Sequence, residues 1–198
     1  MGNRTDTLKQ IDMMIGQFTD AVSRLDEGAR GIIADIANIL IDAFEQGRSV
    51  YICGNGGSAA DAQHIAAEMV GRFQRDGRKA LPCVAMTTDT SIITAVGNDF
   101  GFEDVFARQV EALGKPGDVL WVLSTSGRSP NIVKAVNIAR ERGMKIVAMT
   151  GGDGGRLSDL ADVCFIAPAD RTYLIQQIHQ LAYHIICELV DKHFAGEV

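Results

Sequence analysis

The chain contains no CxxC pair, so the usual thiolate frame of a structural zinc site is missing. The four cysteines, Cys53, Cys83, Cys164 and Cys187, are widely scattered, which excludes a disulfide scaffold of the small secreted kind. Three of them lie in or beside short apolar runs, and buried free thiols are the expectation. No uncharged apolar run reaches about eighteen residues, so no membrane-spanning helix is expected, and the polar N-terminal stretch MGNRTDTLKQIDMM lacks the apolar centre of a secretion signal. A soluble cytoplasmic protein follows as the expectation. Positive charge is in deficit: a formal net charge of -6 argues against a broad surface for nucleic-acid phosphates. Repeats and low-complexity tracts are also missing, and 198 residues of ordinary composition make one domain with a real core.

What is present is an alternation of strand-like and helix-like segments. Residues 3–27 carry Leu8, Ile11, Met14, Ile15, Phe18, Val22 and Leu25 at helical spacing, and Ile32, Ile33, Ile36, Ile39, Leu40 and Phe44 continue the stripe. Two such helices offer more apolar surface than a sheet needs, so they are expected to pack on the domain or on a second copy of it, partner helices in a bundle being the favoured reading. From Ser49 onward, apolar runs at 50–53, 81–86, 118–123, 145–149 and 163–166 alternate with helical stretches at about 58–72, 90–96, 104–113, 130–142 and 157–160. A closing helix spans about 172–194. This βαβ order predicts an α/β fold: a doubly wound, mostly parallel sheet flanked by helices, with ligands at the carboxyl ends of the strands. The expected organisation is a single domain, 1–198, made of N-terminal helices at 1–47, an α/β core at 48–170 and a C-terminal helix at 171–198.

Two loops stand out. Gly54, Asn55, Gly56, Gly57 and Ser58 join the first strand to a helix, where unpaired N–H groups and the helix dipole favour an anion. Gly54, Gly56 and Ala59 also satisfy the spacing of a dinucleotide fingerprint. The acidic candidate, Asp89, then falls thirty residues past Ala59 rather than about twenty past the motif, which counts against a nicotinamide enzyme. The second loop holds Ser124, Thr125, Ser126, Gly127 and Ser129 ahead of Pro130. Capping and turn formation explain one or two of those four hydroxyls; a donor-rich pocket for phosphate or sugar hydroxyls explains all of them.

His64 and Glu68 stand at i and i+4 on one helix face beyond the first loop. Such a pair is usually a surface ion pair, but it also suits proton transfer or two ligands of one zinc ion. The closing helix has an expected apolar face through Leu174, Ile178, Leu181, Ala182, Ile185 and Leu189, interrupted by Gln176, His179, Tyr183 and His184. A histidine there is more often a bonded core or interface residue than a ligand. Gln176 and His184 stand eight residues, or about 12 Å, apart along the axis, which makes a metal site shared by both demanding.

Taken together, CGNGGSAADAQHIAAE, VGNDFGFEDVF, DVLWVLSTSGRSPN and IVAMTGGDGG resemble the phosphoheptose isomerases, bacterial enzymes built on the sugar isomerase (SIS) domain, over about Leu8 to Phe194. The resemblance implies interconversion of sedoheptulose 7-phosphate and D-glycero-D-manno-heptose 7-phosphate for lipopolysaccharide and other surface glycans. It also implies a homotetramer with active sites at subunit contacts, often holding one zinc per subunit. Carried onto matching positions, it puts substrate contacts at Asn55, Gly56, Gly57, Ser58, Glu68, Asn98, Asp99, Ser124, Thr125, Ser126, Ser129 and Gln176. It makes Glu68 and His184 the acid and base pair, and His64, Glu68, Gln176 and His184 the zinc ligands. One departure is visible: where the family often reads Arg-Ile-Gln-Glu, this chain has Leu174, Ile175, Gln176 and Gln177, which puts local salt bridges and a subunit contact in question. The rival within the same fold is a non-catalytic regulator that binds a sugar phosphate or a replication initiator protein; such relatives resemble this chain in the loops and differ from it at Glu68 and His184.

Overall fold

The computed structural model describes residues 3–196. In chain order its elements are α1 (Arg4–Ser23), α2 (Glu27–Glu45), β1 (Val50–Gly54), α3 (Gly57–Val70), β2 (Cys83–Ala85), α4 (Thr90–Asp99), a 3-10 turn (Phe102–Asp104), α5 (Ala107–Leu113), β3 (Val119–Leu123), α6 (Pro130–Glu141), β4 (Lys145–Gly151), α7 (Leu157–Leu160), β5 (Val163–Ala167) and α8 (Thr172–Phe194). The five strands form one parallel sheet in the order β2-β1-β3-β4-β5. The order reverses between β1 and β3, and in doubly wound sheets the crevice beyond that reversal is where ligands bind.

Alternation along the strands builds two cores. Val119, Trp121 and Leu123 face α2, α3 and α8, whereas Leu120 and Val122 face α5 and α6. The expected α/β architecture is therefore present, covered on both faces. Cys53, Cys83 and Cys187 are buried free thiols, and Cys164 is a half-buried one. Burial pushes the Cys187 thiol up to about 12, with the nearby Glu68 charge adding to it, so it stays protonated.

Some boundaries move for identifiable reasons. The first helical stripe breaks at residues 24–26, where the Asp26 carboxylate accepts the Ala29 N–H at 2.8 Å and starts α2. The helix expected to end near Gly97 runs on to Asp99. It stops only where the Gly101 N–H, on a residue at φ +104°, bonds back to the Val96 carbonyl. The run at 81–86 contributes only the short edge strand β2.

The two N-terminal helices part company. Ile33, Ile36, Leu40 and Phe44 seat α2 in the core, whereas the described part of α1 buries only Ala21 and leaves Leu8, Ile11, Met13, Met14 and Ile15 exposed. The apolar face expected on the closing helix is rotated as well. Ile175, Ile178, Ala182, Ile186 and Val190 face the core, and Ile185 and Leu189 are exposed. A helix apolar on two sides does not reveal from its own sequence which side meets the sheet.

His179 lies in the core, with Nε2–H donating to the Thr150 carbonyl at 2.8 Å and Nδ1 lacking a partner among the described residues. Burial pulls its pKa from the ordinary 6.5 down to about 4, the Thr150 bond opposing this only in part. Below pH 6.5 the unfolded chain therefore binds a proton that the folded chain refuses. Stability is expected to fall by about 3 kcal/mol between pH 6.5 and 4 from this residue. Urea unfolding across that range should show a shallower fall in His179→Gln; equal slopes would remove His179 as the cause.

Candidate active site

The carboxyl ends of β1 and β3 carry the two donor-rich loops. Asn55, Gly56, Gly57, Ser58, Ser124, Thr125, Ser129, Thr172 and Gln176 line one cleft of about 300 Å³. Gly56 caps α3 without any side-chain acceptor for the first N–H groups, which leaves that helix end available to an anion. Ser129 caps α6 in position only. Its hydroxyl lies 3.2 Å from that of Ser124 and makes no bond to the α6 backbone, so capping does not account for the serine loop. Two reciprocal amide bonds of 2.9 Å tie Asn55 to the buried Asn131 at the start of α6, locking the two donor-rich loops together. Asn131 carries no signal in the sequence, because its role depends on a partner 76 positions away.

The other half of the candidate site lies along α3 and α8. His64 Nε2 is 3.0 Å from Glu68 Oε1 and 3.4 Å from His184 Nε2, and one ligand atom of each residue lies within 4.8 Å of the others. His64 Nδ1 faces the Tyr183 hydroxyl at 3.2 Å, and that hydroxyl donates to Asp61 Oδ1 at 3.3 Å. Burial, with the Asp61 charge behind it, raises the Tyr183 pKa and keeps this donor protonated. A hydroxyl has one hydrogen, and the carboxylate is the stronger acceptor, so Nδ1 of His64 carries its own proton and donates to the Tyr183 oxygen. Nε2 of His64 then faces Glu68 and His184. Burial first, then the neighbouring His64, lowers the His184 pKa and favours its neutral, ligating form. Phe73 stacks on the His184 ring, centroids 5.9 Å apart.

Two imidazole nitrogens and a carboxylate oxygen converging at this distance suit a divalent cation, and imidazole with carboxylate is a donor set that zinc takes. The Tyr183 and Asp61 pair would supply the outer hydrogen bond that orients His64 toward a metal bound there. Asp61 carries no signal in the sequence, and Tyr183 shows there only as a polar break in the apolar face of the closing helix.

The remaining expected residues fall elsewhere. Gln176 packs its amide against Gly57, where an added Cβ would come within 2.5 Å of its nitrogen, so it sits in the anion cleft. Ser126 is exposed at the outer side of its loop. Asn98 and Asp99 are exposed at the end of α4, joined by a 2.7 Å bond from the Asn98 amide. Leu174 is buried, and Gln177 lines an apolar cleft of about 500 Å³ with Met14, Ile15, Phe18, Tyr173 and His184.

A family model described as the SIS domain matches residues 15–151. The chain is 46% identical to the phosphoheptose isomerase of Nitratiruptor sp. over 94% of this chain and all of the relative. It is 48% identical to that of Geotalea daltonii, over 96% and 98% of the two chains. The chain belongs to the phosphoheptose isomerase family of SIS-domain proteins. Solved phosphoheptose isomerases from Neisseria gonorrhoeae and Francisella tularensis superpose with TM-scores of 0.87 and 0.90. They are 40% and 37% identical, and each match covers more than nine-tenths of both chains. The parallel α/β sheet is thus the family's own scaffold, and this chain is an isomerase built on it.

Proposed function

We propose that this isomerase interconverts sedoheptulose 7-phosphate and D-glycero-D-manno-heptose 7-phosphate, with Glu68 as the base and His184 as the acid of an enediol proton transfer. The observation that carries this reading is the convergence of Glu68, His64 and His184 from two helices within 4.8 Å. Moving a ketose to an aldose requires a base to take a proton from C1 and an acid to protonate the C2 carbonyl oxygen. Glu68 Oε1 takes and returns the carbon-bound proton, and the His184 imidazole serves the oxygen. The cleft formed by Asn55, Gly56, Gly57, Ser58, Ser124, Thr125 and Ser129 binds the phosphate, and Ser126 of the same loop serves as a further substrate contact. Asn98 and Asp99 serve as sugar contacts.

The trio of His64, Glu68 and His184 would hold zinc, with Gln176 as the fourth ligand once its amide turns from Gly57. Bound there, zinc would polarise the carbonyl or hold the diol oxygens. The exposed α1 stripe and the apolar cleft that reaches His184 support a homotetramer in which a second copy covers this face and walls the reactive end. No helix among the described residues is long and apolar enough to cross a membrane. We place the enzyme in the cytoplasm as a single domain over 1–198, supplying heptose for lipopolysaccharide or a related glycan.

Purified protein should convert sedoheptulose 7-phosphate in a coupled assay and exchange a C1 proton of that sugar in deuterated water. Turnover should fall on treatment with a chelator and return with zinc. A protein that bound the sugar without exchange would be a sensor and would end the catalytic reading. A single-chain mass by light scattering would remove the tetramer.

A further inference from the structure

Glu68 stands in the last turn of α3, where helix carbonyls have no partner within the helix. The segment from residue 71 to 80 returns past this end and places one guanidinium on it. Arg78 Nη2 donates to the carbonyls of Glu68 at 2.8 Å and Gly71 at 3.3 Å, and Nη1 to those of Met69 at 2.9 Å and Lys79 at 2.8 Å. Nε donates to Asp191 Oδ1 at 2.6 Å. Every donor of the guanidinium is engaged. The Arg78 side chain is 2% exposed and that of Asp191 1% exposed, so the pair is shut away from solvent.

Asp191 belongs to α8, seven residues beyond His184. Its other oxygen accepts the backbone N–H groups of Gln74 at 3.3 Å and Arg75 at 3.0 Å. Arg75 in turn reaches Glu188 at 2.8 Å. A continuous set of bonds therefore runs from the backbone of Glu68 through Arg78 and Asp191 into the helix that carries His184. The positive guanidinium also faces the negative end of the α3 dipole.

We propose that Arg78, held by Asp191, is a positioning residue that sets the separation between Glu68 and His184 during catalysis. It touches neither group's reactive atoms and acts through the backbone of Glu68. Without it the carbonyls of Glu68 and Gly71 lose their guanidinium partner and that of Met69 keeps only the Leu81 N–H at 3.2 Å, so the last turn of α3 frays and carries the Glu68 carboxylate away from His184. A misplacement of about 1 Å in a reacting group is enough to cost on the order of 10²-fold in rate. The phosphate loops lie at the opposite end of α3, eleven residues or roughly 16 Å from Glu68, and are left in place. The proposal rests on Glu68 being the base.

The test compares Arg78→Met, Arg78→Lys and Asp191→Asn with the parent for kcat, for the Kd of inorganic phosphate, and for melting. Arg78→Met is expected to lower kcat by about 10- to 100-fold at unchanged phosphate affinity. Arg78→Lys, which restores the charge but not the five-bond pattern, should fall between it and the parent. Adding Arg78→Met to Glu68→Gln should lower kcat no further, because a residue acting through Glu68 has nothing left to position. A folded Arg78→Met enzyme with parental kcat would overturn the proposal, as would a further loss in the double variant or a joint loss of turnover and phosphate binding. Failure of all three variants to fold would make Arg78 a residue of the fold alone and overturn it equally. If Glu68→Gln itself left turnover unchanged, the assignment of the base would fail first and separately.

Discussion

Glu68→Gln is expected to cut turnover by about 10²- to 10⁴-fold, the range a positioned proton-transfer group contributes. The substitution keeps the side chain's length and an oxygen at the end facing His64, so packing in the last turn of α3 should survive. What it removes is a carboxylate able to take a proton from carbon. Binding of the substrate's phosphate should be little affected, since Gly56, Gly57 and the serine loop lie at the other end of α3. Steady-state kinetics with phosphate-binding titration checks both halves of the expectation. Zinc content measured on the same sample separates a lost base from a lost ligand, because His64 and His184 would still hold the ion more weakly. Parental turnover in the folded variant would take Glu68 out of the mechanism, and the trio at 4.8 Å would then be a structural cluster.

Gly127→Ala is expected to damage both stability and phosphate binding. Gly127 has φ +61°, and a Cβ there would sit 1.9 Å from the carbonyl oxygen of Gly154 and 2.6 Å from its carbon. The serine loop thus rests backbone to backbone on the 151–155 turn, a contact strengthened by the Leu157 N–H donating to the Gly127 carbonyl at 3.2 Å. Left-handed strain costs about 1 kcal/mol and overpacking against rigid backbone about 1–3 kcal/mol more. For a chain of this size that lowers the melting temperature by roughly 5–15 °C. Forcing the two turns apart also moves Ser124, Thr125 and Ser129 away from the glycine loop, and affinity for inorganic phosphate should drop with it. Gly152→Ala is the control: it shares a positive φ, +60°, but has open space around it, so it should show the strain without the clash. Equal melting temperatures for the two variants would mean that the loops do not press on each other as the geometry has them.

The parts of the site differ in how readable they were. The two donor-rich loops announce themselves because glycines and hydroxyls are dense over a few positions and each loop is framed by a strand and a helix. His64 and Glu68 are readable as a pair because helical spacing brings i and i+4 together. His184 is another matter. It is 120 positions from His64, and nothing in its own helix marks it apart from His179, which is buried in the core. Only the resemblance to the isomerases distinguished them. Asn131, Asp61 and Arg78 were invisible and Tyr183 showed only as a polar break in its helix face, since each matters through a partner remote in sequence.

By itself the amino-acid sequence determined the alternation of strands and helices, the two anion loops and the His64–Glu68 pair, because each depends on residues within a few positions of one another. Tertiary structure alone decided that β1 and β3 are neighbours while β2 goes to the edge, which face of α8 meets the sheet, and that His184 closes on His64. These are choices among packings that bury similar apolar area, and local periodicity is indifferent to them; only the summed fit of the whole core selects one.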